Sequence, residues 1–168
     1  RQSYAARDDL GGGVIRTLTH PLDYLRYLIG EVDSLWSFND HISALELDVE
    51  DVAEIGLKFS NGAIGGVHLN YFQRPPVHRL EIVGTHGTLR WDNADGILHF
   101  HQFTTDFGSY SDNPPAPIIQ TFAPPEGCRV GGRATSLRLM VLPASGTLYP
   151  GWSRRRGPCH DGTGGGRR

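Results

Sequence analysis

The chain has 168 residues, 38% of them hydrophobic, with 22 glycines, 11 prolines and a formal net charge of −2, a length that suits one domain. It contains no apolar run long enough to span a bilayer, and Arg1-Gln2-Ser3-Tyr4 has neither the apolar core nor the cleavage site of a signal peptide, so a cytoplasmic protein is expected. The charge is divided: residues 1–127 carry 8 Arg/Lys against 17 Asp/Glu, an acidic background that repels phosphate backbones, so no nucleic-acid partner is expected.

There is no initiating Met, and the polar residues 1–10 read as the end of an element that begins upstream of a fragment. Gly11-Gly12-Gly13 follows. It lacks the GxGxxG spacing and a preceding strand, so it predicts close passage of the backbone past a neighbour and no dinucleotide loop. Leu18, Leu22, Leu25, Leu28 and Ile29 recur at three- and four-residue steps and predict the apolar stripe of a helix over 19–29. Pro21 cannot donate to the carbonyl four residues back, so the helix begins near Thr19–Pro21 or is kinked there. Gly30 supplies its stop. Arg16, His20 and Tyr24 are spaced four apart, which predicts one polar edge. Asp23, three after His20, is placed to orient it.

Residues 35–42 mix aromatic and polar types in strand fashion, and 46–51 are an acidic connection. In 52–59, Ala53, Ile55, Leu57 and Phe59 alternate with Glu54 and Lys58. Ser60-Asn61-Gly62 predicts a hairpin turn. The chain returns over 63–72, with Val67, Leu69 and Tyr71 opposite Ile64, His68 and Asn70. Gly65 and Gly66 there suggest close packing over the strand. Arg74-Pro75-Pro76 breaks the pattern. Strands at 78–83, 88–91 and 97–103 follow, joined by turns at 85–87 and 92–96. Short strands with short turns make an antiparallel meander, and one helical stripe covers one face of it. The expected fold is therefore α+β: an open, mainly antiparallel sheet with one or more helices packed on one face. The other face, with His68, Asn70 and Arg90 among aromatics, suits a subunit or domain contact.

Two sets of residues carry no metal or disulfide signal. His99 and His101 share a strand face but lack a third ligand nearby, so no metal is expected. Cys128 and Cys159 form neither a disulfide framework nor a CxxC pair.

The stretch Gly11 to Gly30, together with Val83-Gly84-Thr85-His86-Gly87-Thr88-Leu89-Arg90-Trp91, resembles the C-terminal domain of the glucose–fructose oxidoreductase / inositol dehydrogenase / MocA family, over Gly11 to about Phe103. The resemblance implies that residues 1–126 are a truncated substrate-binding and oligomerisation domain of an NAD- or NADP-dependent oxidoreductase acting on a sugar, cyclitol or related polyol. It implies that an N-terminal Rossmann domain, absent here, holds most of the cofactor, so no cofactor-binding residue is expected in this chain. The family's site histidine, matched by His20, sits against the substrate carbinol and is the expected catalytic residue. Arg16, Thr17, Asp23 and Tyr24 are the expected substrate-binding residues. Many members carry Asp three or four before the histidine, where this chain has Thr17 and Arg16. The family's Glu-Lys-Pro lysine is not in this chain, whose only lysine is Lys58. The chain alone is accordingly expected to be inactive, and the full-length protein to be a homo-oligomer through the sheet face. The alternative is a non-catalytic remnant or association domain.

From about Gly127 the text changes. Residues 128–168 hold 8 Arg, 9 Gly and the single acid Asp161. Apart from a short run at Leu137–Leu142, no helical or strand period persists. This is the composition of a disordered arm or of a GC-rich gene read out of frame, the latter favoured because the break falls where the family expects structure. Residues 127–168 are thus expected to be a disordered or frame-shifted tail whose removal leaves residues 11–122 no less stable.

Overall fold

The computed structural model describes residues 3–104, 115–124 and 135–140. Two short 3-10 turns, Tyr4–Ala6 and Asp8–Leu10, lead through the glycines into helix α1 (Val14–Thr17) and helix α2 (His20–Ile29). The strands are β1 (Val32–Asp40), β2 (Val52–Phe59), β3 (Ile64–Asn70), β4 (His78–Gly84), β5 (Gly87–Asp92), β6 (Leu98–Gln102), β7 (Ile118–Phe122) and β8 (Thr135–Met140). They form one eight-stranded sheet in the order β1-β2-β3-β8-β4-β5-β6-β7. Every pairing is antiparallel except β4 with β8, so the α+β fold with an open, mainly antiparallel sheet is as expected.

Local chemistry explains the boundaries. Pro21 falls in the first turn of α2, where its missing N–H costs nothing. The chain therefore breaks at Leu18 (φ −114°, ψ 44°) instead of running as one helix. Gly30, at φ 127°, ends α2. Asn61 ties the β2–β3 hairpin to that helix end: its amide donates to Ile29 O at 2.8 Å, and its carbonyl oxygen accepts the Ala63 N–H at 3.0 Å. The triple glycine is a packing feature. A Cβ on Gly12 would collide with the Ala5 and Arg7 carbonyls, and one on Gly13 with the Glu50 carboxylate.

The helix-facing side of β2 and β3 holds the core. Ala53, Ile55, Leu57, Phe59, Val67 and Leu69 are buried with Val14, Leu18 and Leu25 from the helices, while Glu54 and Lys58 face outward. Leu22 and Ile29 pack against this cluster, whereas Leu28 of the expected stripe is exposed. On the outer side the Trp36 indole lies over Gly56, a position where any side chain would collide with it. Nothing beyond the Ile55 carbonyl of the adjoining strand approaches Gly66, among the described residues.

Strand β1 starts three residues earlier than its aromatic signal, and it ends at Asp40 because the chain turns there around Asp51. Strand β8 lies inside the segment read as a tail. It pairs antiparallel with β3 (Val67↔Leu137) and parallel with β4 (Leu80↔Leu137). Cys128, Cys159 and the rest of that segment lie outside the described residues. No helix of the described residues is long and apolar enough to cross a membrane.

Candidate functional site

The break between α1 and α2 decides where the expected site residues stand. A single polar edge through Arg16, His20 and Tyr24 presumes one continuous helix, and the break at Leu18–Thr19 divides it. Arg16 turns back to Asp8, with Nη1 3.2 Å from Oδ1, both exposed. The Thr17 hydroxyl donates to Gly13 O at 2.7 Å and accepts from the Tyr71 hydroxyl, whose oxygen also lies 3.4 Å from Ala5 O. His20 is the first residue of α2 and is exposed, as is Asp23. Among the described residues neither makes a side-chain hydrogen bond, and none of the five expected site residues bonds to another.

Tyr24, one turn beyond His20, faces the sheet. Its hydroxyl lies 2.7 Å from His78 Nε2 at the start of β4. The His78 ring meets Trp91 edge-on, with centroids 5.0 Å apart and planes at 89°. Burial pushes the Tyr24 phenol well above its ordinary range and pulls the His78 imidazole below its own. Both groups are therefore neutral at pH 7, and the phenol O–H donates to the imidazole nitrogen. Asn93 holds the backbone of His78 on both sides, through Oδ1 to its N–H and through its own N–H to the His78 carbonyl, each at 2.9 Å. The period of β4 places His78 on the helix-facing side, but the pairing with Tyr24 spans 54 residues and has no local signal.

Two carboxylates behind the helices were missed because they lie in an acidic run that looks solvated. Glu50 sits at the N-terminus of α1, where its backbone carbonyl accepts the Val14 N–H at 3.1 Å and its carboxylate accepts the Ile15 N–H at 3.3 Å. It fills the space that Gly13 leaves open, so the Gly-rich turn meets an internal anion, and these residues do not fit a dinucleotide phosphate. Asp51 is fully buried. Burial alone would raise its carboxyl, but the Ser43 hydroxyl, the N–H groups of Ile42 (3.0 Å) and Ser43 (3.1 Å), and His41 outweigh it and hold the group below the usual carboxylate range. This cluster builds the turn after β1.

The outer sheet face is polar and paired. His68 Nδ1 donates to Glu54 at 2.5 Å, while Asn70 Nδ2 donates to His68 Nε2 at 2.9 Å, which fixes the imidazole proton on Nδ1. Arg79 bonds Asp92 at 2.8 Å and Arg90 bonds Glu81 at 2.6 Å. The Ala94 N–H and then Arg79 hold the Asp92 carboxyl below its ordinary range. Among the described residues no group of three His, Cys, Asp or Glu could hold a metal ion.

Residues 1–90 match the family model described as the GFO/IDH/MocA C-terminal domain. No curated protein matches the chain.

Proposed function

The chain belongs to the GFO/IDH/MocA family through its C-terminal domain, and from that premise we propose that it is the substrate-binding part of an NAD- or NADP-dependent oxidoreductase acting on a sugar, cyclitol or related polyol in the cytoplasm. The observation that carries this reading is the family match over residues 1–90, which spans both helices and the hairpins that support them. His20, exposed at the start of α2, accepts or holds the proton of a substrate hydroxyl. Asp23 and Tyr24 lie within one turn of it, and Arg16 and Thr17 flank the helix break beside it. The dinucleotide belongs to a Rossmann domain N-terminal to these residues, since Glu50 occupies the only Gly-rich turn that precedes a helix among the described residues. The polar sheet face is the contact with another subunit or with that domain.

The test is nicotinamide-dependent oxidation of a panel of sugars, cyclitols and linear polyols by a protein that joins these residues to their upstream coding sequence. One class is expected to react, and His20→Ala is expected to lower kcat by ~10²–10⁴, the scale of a lost general base. No turnover on any member, or wild-type turnover in His20→Ala, would sink the reading. A second reading, an association domain without catalysis, draws on the absence of any described side-chain hydrogen bond to His20 and on the structural engagement of Arg16 and Thr17. The same assay separates the two.

A further inference from the structure

Strand β1 is an edge strand, with β2 on one side and nothing on the other among the described residues. Its nine residues, Val-Asp-Ser-Leu-Trp-Ser-Phe-Asn-Asp, contain no lysine and no proline. An irregularity in register between Val32 and Ser34 and the charges of Asp33 and Asp40 guard its two ends, and the stretch Ser34 to Phe38 between them carries no charge, bulge or proline that would protect an edge from pairing. Leu35, Trp36 and Phe38 are 64%, 57% and 76% exposed, so no described element covers the edge from either face. Register with β2 puts Leu35 on the helix side, opposite Leu57, and Trp36 and Phe38 on the outer side, opposite Gly56 and Glu54. The two aromatic rings are 5.4 Å apart and form one small cluster at the rim of the sheet.

The sequence of the strand decides which partner fits. An antiparallel copy shifted so that Trp36 meets Ser37 would set Asp33 against Asp40 at both ends, a repulsive match. An antiparallel copy centred on Trp36 pairs the regular stretch of the strand: Trp36 with Trp36, Leu35 with Ser37 and Ser34 with Phe38, with Asp33 beyond it near Asn39. No like charges then face each other. Opposite residues also keep the same face, so the two Trp36 and two Phe38 rings join into one aromatic group on the outer side. The arrangement is isologous and closes as a dimer.

We propose that β1 is a self-complementary docking edge, which joins two copies of this chain through an antiparallel β1–β1 ladder centred on Trp36. This is independent of the chemistry at His20, and it uses the rim of the sheet rather than its polar face.

Sedimentation of the chain at micromolar concentration is expected to give a dimer. Trp36→Lys is expected to give a monomer with unchanged far-UV circular dichroism, because a charge on an exposed edge blocks pairing without disturbing the fold. Where that variant folds poorly, cross-linking replaces it. With Cys128 and Cys159 changed to Ser, the double variant Leu35→Cys/Ser37→Cys is expected to form an interchain disulfide dimer on oxidation, and Ser37→Cys alone is not. A monomeric wild type overturns the proposal. So does a dimer that survives Trp36→Lys but is lost on Arg90→Glu, which would place the contact on the sheet face. Cross-linking of Ser37→Cys alone would overturn the register.

Discussion

In β2 and β3 the helix-facing residues Ala53, Ile55, Leu57, Phe59, Val67 and Leu69 are at most 5% exposed. In β4 to β6 the residues on the same face, Leu80, Ile82, Leu89, Trp91, Leu98 and Phe100, all remain partly accessible. Both stretches alternate, and both are paired into the same sheet. They differ in cover: α1 and α2 lie over the first half, and among the described residues of the second half Leu80 and Ile82 pack against the cluster they form with β2 and β3, while His78 bonds Tyr24 of α2. Alternation sets which side a residue faces, and the covering layer decides how much water it loses. The hydrophobic stabilisation scales with the second quantity.

Truncation sharpens this contrast most strongly. Leu25→Ala or Phe59→Ala, at fully buried positions, is expected to cost ~3–5 kcal/mol. Phe100→Ala, at a partly exposed one, is expected to cost ~1 kcal/mol, in proportion to the smaller area it keeps from water. Equal losses in urea unfolding would show that the second half has a core of its own.

The next largest effect concerns the strand that joins the halves. The composition after Gly127 predicts that removing residues 128–168 is harmless. Strand β8 argues for the opposite outcome, because β3 and β4 both pair with it. Ending the chain at Pro124 is expected to cost ~2–4 kcal/mol, from several backbone bonds of ~0.5–1.5 kcal/mol each. Hydrogen exchange should then rise in β4 to β7 more than in β2. Unchanged exchange in both halves would return residues 135–140 to the status of a dispensable tail.

Much of the first half was legible beforehand. The alternation of 52–59, the Asn61-Gly62 turn, the break forced by Pro21 and the stop at Gly30 are local effects, and each stands where its residues predict. What could not be read depends on distance. Whether Arg16 shares an edge with His20 depended on which way the chain broke at Leu18. The burial of Asp51 depends on the loop that folds over it, and acidic neighbours disguise it as a solvated run. Strand β7 follows a stretch with no clear period, and β8 belongs to the sheet only because β3 and β4 leave a place between them. At the site, the helix and its histidine were visible, whereas His78 as the partner of Tyr24 was not.

That partnership gives a smaller test. Tyr24→Phe removes the one described side-chain hydrogen bond between α2 and the second half of the sheet. It is expected to cost ~1 kcal/mol, typical of a single hydrogen bond. Tyr24→Phe combined with His78→Gln should cost less than the two single changes added together, because both remove the same contact. Full additivity would mean that the 2.7 Å contact contributes nothing of its own.

The smallest expected effect is on pH dependence, and its sign follows from burial. The His78 imidazole is held below its ordinary value of 6.5, because the charged form loses hydration against Trp91 and α2. In the unfolded chain the same group takes up a proton near 6.5, so between that value and the lower folded one the unfolded state binds more protons. Stability must then rise with pH across that interval. The contribution of His78 is complete above about 6.5 and is lost as pH falls toward the folded value. Asp51 and Asp92 act in a separate, lower window: both are held below the ordinary carboxylate value of 3.8, so their contribution is present above it and is lost only as pH falls further. Urea midpoints at a series of pH values should therefore show a shallow decline beginning near 6.5 in the wild type. His78→Gln should flatten it and leave the steeper acid limb in place. A decline that persists unchanged in His78→Gln would assign it to another histidine and remove the α2–β4 contact as its cause.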